Sequence, residues 1–311
     1  MLRGLIAVCL IGCTAGVNGG GGHTSDAQVG HDTPAADPDA PGGLTPGNLD
    51  VAWMHGSQNC NQNADPELQV HQYNATTYII RQNKCLTFEA PFVYVLIGTQ
   101  SALLLDTGAT NNTTTLRDTV LPLVGGKPLL VAHTHAHGDH TAGDSTFVGQ
   151  PNVTVVALNQ GAIQAAFGIA TWPTSQGMID LGDRAIDVLA IPGHEPQHIA
   201  LYDRQTGILL TGDTLYPGLL FISDWTAYRA SVSRLETFAA ARPIAYVLGA
   251  HIEMTATAKE NYPYGTTYQP NEHVLQLMET HLAELDSALT ALGGTPPNQP
   301  VAHDDFVIDP Q

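Results

Sequence analysis

The order of apolar and polar positions over the 311 residues separates a polar early region from a long patterned body. From Thr76 the β-forming runs TTYIIRQ, FVYVLIGT and SALLLDTG follow one another, and Gly98, Thr99 and Gln100 turn between the last two. This predicts consecutive antiparallel strands. Residues 110–124 space Leu116, Val120, Leu121 and Val124 as a helix does, and a strand over 129–132 comes next. A strand over 153–158 and a helix over 160–167 follow. In the second half an apolar strand, 186–191, ends in Pro192-Gly193-His194. The runs 199–202 and 208–210 predict a hairpin through Arg204 to Gly207, ending in Thr211-Gly212-Asp213. A helix from about Tyr228 to Ala241 precedes a strand over 244–248, which closes with Gly249-Ala250-His251. A last helix over 272–292 sets Val274, Leu277, Met278, Leu282, Leu285, Leu289 and Leu292 on one face, a stripe that suits core packing.

The start of the chain lies outside this pattern. Met1 to Arg3 make a short positive head and Leu5 to Ile11 an apolar stretch too short to span a bilayer. Leu10-Ile11-Gly12-Cys13 resembles the lipobox of bacterial lipoproteins. That resemblance implies a signal peptide over 1–12, lipidation of Cys13, and a periplasmic or extracellular protein anchored to a bacterial membrane, Thr14 resembling the outer-membrane sorting case. Residues 13–49, rich in Gly, Pro and Asp, predict a disordered tether, on which His23 and His31 are solvated rather than ligands. The patterned domain is expected over 50–295, with 296–311 a polar tail. Beyond the signal, Cys60 and Cys85 remain; in an oxidising compartment they read as a disulfide, with two buried free thiols as the other reading. With 11 basic against 29 acidic residues the formal charge is −18, which argues against nucleic-acid partners.

The chemistry concentrates in Val131 to Asp144, VAHTHAHGDHTAGD. His135, His137, Asp139 and His140 form an HxHxDH pattern directly after a strand. Imidazole and carboxylate are ligand types that Zn²⁺ and related divalent metals take. Strand alternation aims His135 and His137 to one side, while Asp139 and His140 come round on the next turn, so two metals are suggested. Three further strand ends present His194, Asp213 and His251. His133, just before the motif, faces the other way and is expected to be a supporting or core residue.

Together HxHxDH, PGH, TGD and GAH resemble the metallo-β-lactamase superfamily over roughly Thr76 to His251. The resemblance implies an α/β fold, a four-layer αββα sandwich with the metal site at one edge. It implies that His135, His137 and His194 hold one metal, that Asp139, His140 and His251 hold the second, and that Asp213 bridges them. It also implies two Zn²⁺ per chain, with iron or manganese as alternatives, and a metal-bridging hydroxide that Asp139 orients. Asp106, in LDTG, resembles the family residue that supports the histidine loop. Asp213 resembles the glyoxalase II, lactonase and phosphodiesterase branches rather than the true β-lactamases, whose position resembles Cys or Ser. The segment His194-Glu195-Pro196-Gln197-His198 departs from the commoner form with Thr or Ser and Gly.

These features lead to a hydrolase of a small ester, lactone or thioester, with a small molecule as its partner besides the membrane. The competing readings are a β-lactamase, a mononuclear iron persulfide dioxygenase, and a non-catalytic metal-binding periplasmic protein. For the substrate, NYPYGTTYQ supplies Tyr262, Tyr264 and Tyr268 as a pocket wall or, equally, a surface loop packed by its own tyrosines. Tyr216 supplies an oxyanion-stabilising hydroxyl or a core ring.

Overall fold

The computed structural model describes residues 43–311. The expected signal, the expected lipidation position Cys13 and the expected tether up to residue 42 lie outside the described residues. The first mixed sheet runs β1 (Leu68–Asn74), β2 (Thr77–Gln82), β3 (Phe92–Ile97), β4 (Ala102–Leu105), β5 (Leu129–Ala132) and β6 (Val153–Val155) in spatial order. Its first four strands are antiparallel, whereas β4, β5 and β6 are parallel and linked by helices. Those helices are α1 (Thr115–Val124), α2 (Gly138–Thr141) and α3 (Asp144–Phe147), and α4 (Gln160–Phe167) follows β6. The second sheet is built from β7 (Gly177–Asp180), β8 (Ala185–Ala190), β9 (Ile199–Asp203), β10 (Ile208–Gly212), β12 (Tyr246–Gly249) and β13 (Gln276–Leu277). Between its strands the chain forms β11 (Leu219–Ile222) and α5 (Trp225–Ala239), and after it come α6 (Glu279–Leu292), β14 (Val301–Ala302) and β15 (Val307–Pro310).

Side-chain alternation explains why the central strands are apolar throughout. In β3, Phe92, Tyr94 and Leu96 enter the core between the two sheets, and Val93, Val95 and Ile97 meet Leu116, Val120 and Val124 of α1 on the outer side. In β9, Ile199 and Leu201 face that same central core, while Ala200 and Tyr202 join α5 and α6 in a third cluster. The layers are therefore helix, sheet, sheet, helix. Buried Arg184 joins the two sheets: it is paired with Asp203 (2.6 Å) and donates to Thr76 O, Ile97 O and Thr77 Oγ1.

Several expected boundaries move. Residues 44–49 are not a loose tether: Leu44 packs on the central core, Leu49 is buried, and the Thr45 and Asn48 amides donate to Gln205 O and Tyr73 O. Residues 296–311 are not a polar tail, because β15 pairs in parallel with β11 and buries Phe306, Val307 and Ile308. The last helix begins at Glu279 rather than 272; Leu277 lies in β13 against β12, and Val274 is 43% exposed. α1 likewise starts at Thr115, since the Thr113 hydroxyl takes the Thr115 amide and, with Thr115, donates to Glu67. Cys60 and Cys85 form a disulfide, which fastens the 3-10 turn at Cys60–Gln62 to the loop after β2.

Candidate metal centre

The side chains of the two candidate groups gather at one edge of the two sheets, carried by strand ends, the turns after them and the short helix α2. β4 is followed directly by Asp106, whose φ of 67° is a left-handed value that Asp tolerates. From there its carboxylate accepts the Thr134 amide (2.7 Å) and meets His140 Nδ1 (2.9 Å), so it shapes the turn after β5. That turn delivers His135 and His137, and α2 delivers Asp139 and His140. The end of β10 delivers Asp213 through Gly212, which has φ 52° and where a Cβ would lie 2.6 Å from His198 Nε2. Only glycine suits that position.

The ring nitrogens are oriented by partners that can only accept. His194 Nδ1 is 2.7 Å from Phe221 O and His251 Nδ1 is 3.2 Å from Glu89 O, so both carry their proton there and turn Nε2 inward. The Thr134 hydroxyl donates to Asp106 and is left to accept from His135 Nδ1 (3.1 Å). The remaining nitrogens converge. His135 Nε2, His137 Nδ1 and His194 Nε2 form a triangle with sides of 3.0, 3.1 and 3.2 Å. Three lone pairs facing one point repel unless a cation lies among them. Tetrahedral zinc with bonds of about 2.0–2.1 Å spaces its ligand nitrogens about 3.3 Å apart, close to what is found. Asp139, His140, Asp213 and His251 gather in a second group, and buried His140 Nε2 and Asp213 Oδ1 have no hydrogen-bond partner. Both donor sets fit divalent metals.

Asp213 touches both groups. Its Oδ2 lies 3.8 Å from His135 Nε2 and 3.6 Å from His194 Nε2, while Oδ1 lies 3.4 Å from the Nε2 atoms of His140 and His251. Burial alone would raise its pKa, but the fields of His140 and His251 outweigh that and hold it down. Burial, with four neighbouring imidazoles, keeps His135 well below its usual value, so it stays neutral as a ligand must. His140 goes the other way: Asp213 and Asp106 overcome its burial and raise it.

The other expected residues fall as follows. His133 turns away and pairs with Asp144 (2.8 Å), which also accepts from Thr107. Tyr216 does not offer an oxyanion donor: its buried hydroxyl is engaged by Leu219 O and Glu253, and only its ring reaches His251. Tyr262 and Tyr264 line a pocket beside the centre; Tyr268 does not, and packs on His55 instead. His198 was not among the expected site residues. It is fully buried, its ring lies 4.7 Å from His135, and burial keeps it well below its usual pKa. The one hint of it was the unusual HEPQH segment. Lys84, Phe88, Glu89 and Glu253 join Tyr262 and Tyr264 around the pocket, and nothing local in their sequence marks them.

The chain is 36% identical over 109 residues to a hydroxyacylglutathione hydrolase of Hahella chejuensis, covering 33% of this chain and 41% of that protein. It is 31% identical over 135 residues to an acyl-coenzyme A thioesterase of Gallus gallus, covering 33% of this chain and 47% of that one. The chain thus spans less than half the length of these relatives. In fold it matches a metallo-beta-lactamase from Pontibacter korlensis with a TM-score of 0.50 and 18% identity, over 72% of this chain and 99% of that one. Residues 86–251, more than half of the chain, match the metallo-beta-lactamase superfamily, and the protein belongs to that family.

Proposed function

We propose that this protein is a dinuclear metal-dependent hydrolase of a small ester, lactone or thioester, with zinc as its metal. The observation that carries the reading is Asp213, whose two oxygens each face one of two complete donor groups. Both relatives described above bear names of thioester-cleaving enzymes, which supports an acyl substrate. Divalent cations bound by these residues would supply polarisation of the substrate carbonyl and a water of lowered pKa. The chain's own part is to place and protonate. His135, His194, His140 and His251 present tautomers fixed by their outer partners, His137 completes the first group, and Asp213 holds the two groups in register. Asp139, with its side chain 22% exposed against 9% for Asp213, is the carboxylate that can meet solvent, so it is placed to orient the attacking water. The same reading places the chain outside the cytoplasm on a lipid at Cys13; the Cys60–Cys85 disulfide, which needs an oxidising compartment, supports that address.

The test is a hydrolysis screen over lactones, aryl esters, thioesters, phosphodiesters and a chromogenic cephalosporin, with metal analysis on the same sample. Acyl-bond hydrolysis with about two zinc per chain is expected; one iron and no hydrolysis would overturn the reading. Asp213→Ala should lose one metal and more than about a hundredfold in activity, since even residues behind metal ligands cost 10–100-fold. Two metals and near-normal turnover in that variant would exclude a bridging role.

A further inference from the structure

A pocket of about 190 Å³ lies between the loop after β2 and the segment that follows His251. It adjoins the metal centre through two shared residues. Glu89, on its wall, gives the carbonyl that holds His251, and Phe221, also on its wall, gives the carbonyl that holds His194. A molecule whose carbonyl sits among the ligands therefore has this pocket beside it.

The lining has a particular composition. Phe88, Phe221, Tyr262 and Tyr264 supply four aromatic rings, with Phe88 and Tyr264 edge to face at 4.9 Å. Glu89 supplies a carboxylate, and Glu253 a second one whose Oε2 already accepts from the Leu219 amide (2.9 Å) and the Tyr216 hydroxyl (3.2 Å). Lys84 also lines the pocket but is not free to receive an anion: it is 2% exposed, and its Nζ donates to Phe88 O at 2.9 Å. By formal charge, one ammonium against two carboxylates leaves the lining one net negative, in a chain whose formal charge is −18; burial raises the pKa of both carboxylates, so Glu89, the less buried of the two, carries the attraction. Aromatic faces and carboxylates attract a cation, and both repel an anion.

We propose that this pocket receives an ammonium group, so that the substrate is an ester or thioester carrying a protonated or quaternary amine near the scissile bond. The inference rests on the hydrolase reading above and narrows it: carriers with several phosphates are disfavoured, and Glu89 and Tyr264 set the preference.

The experiment compares the metal-loaded protein on acetylthiocholine and on its isostere with tert-butyl in place of trimethylammonium. In parallel, calorimetry measures the binding of choline and of the matching tert-butyl alcohol. At low ionic strength kcat/KM should favour the cationic thioester by about tenfold, and the preference should shrink with added salt. Glu89→Gln should lower that ratio at least about threefold, and so should Tyr264→Ala, at a residue that is 82% exposed and so not part of the core. Equal hydrolysis of both thioesters, or a ratio unmoved by either variant, overturns the ammonium site and leaves the hydrolase standing. Failure to cleave either thioester, with choline still bound more tightly than its isostere, overturns cleavage of such esters and keeps the site. Absence of any binding preference overturns the site whatever is hydrolysed.

Discussion

Replacing Asp106 by Asn tests how the centre is held without touching a proposed ligand. Asp106 is fully buried, takes the Thr134 amide at 2.7 Å and faces His140 Nδ1 at 2.9 Å. Asn tolerates the same left-handed backbone, and its oxygen can keep the Thr134 amide. Its amide nitrogen then faces His140 Nδ1. To bind metal through Nε2, His140 must keep its proton on Nδ1, so two donors meet where a charged acceptor had been. A lost hydrogen bond to a charged group is about 1.5–3 kcal/mol, or about 10–100-fold in metal affinity, the usual cost of losing such a partner. The loss should fall on the group made by Asp139, His140, Asp213 and His251, and spare the three-histidine group. Titration of zinc against a chromophoric chelator should show one tight and one weakened site, with circular dichroism unchanged. Asp106→Ala adds the left-handed strain of about 1–2 kcal/mol, which Asp106→Gly removes without restoring affinity. Wild-type affinity at both sites of the Asn variant would refute the argument.

Three further outcomes are expected. Arg184→Met should cost about 3–5 kcal/mol in denaturant unfolding by leaving Asp203 charged and unpaired, and adding Asp203→Leu should recover most of it; a double variant no better than the single one would refute this. Burial, and then Arg81, hold Lys84 down to about 8 from 10.5. The unfolded chain therefore binds more protons between those pH values, and wild-type stability should gain about 3 kcal/mol as pH rises through them; Lys84→Met should abolish that gain, and equal slopes would contradict it. Cys85→Ala opens a crosslink spanning 25 residues, and should lower stability by about 3 kcal/mol and speed hydrogen exchange in residues 83–90, whereas unchanged exchange there would show that the loop holds itself.

The sequence carried most of the centre because each ligand follows an apolar strand, and a strand end is a local signal. β3, β5 and β10 are legible in the same way. What was not legible depends on pairing at a distance. β1 is a polar edge strand whose place is set by β2; β13 and β14 have two residues each, too few for any period. The over-long last helix came from Val274, Leu277 and Met278, which continue a helical spacing while the chain is extended. The ammonium pocket was half visible: Tyr262 and Tyr264 stood out, but Phe88 and Glu89 come from far earlier in the chain. His133 and Tyr216 show the converse, since proximity in sequence to the motifs did not decide what their polar atoms bind.

The parallel pairing of β15 with β11 bears on how the protein is made. β11 contains Phe221, whose carbonyl orients His194. Val307 to Pro310, which pair with Leu219 to Ile222, are synthesised long after His194 has emerged. A chain still being translated has the HxHxDH loop in hand but no neighbour to steady β11 on that side. A nascent chain stalled short of residue 307 would then carry His135, His137, His140 and His251 without a firm hold on His194, the remaining histidine of the centre.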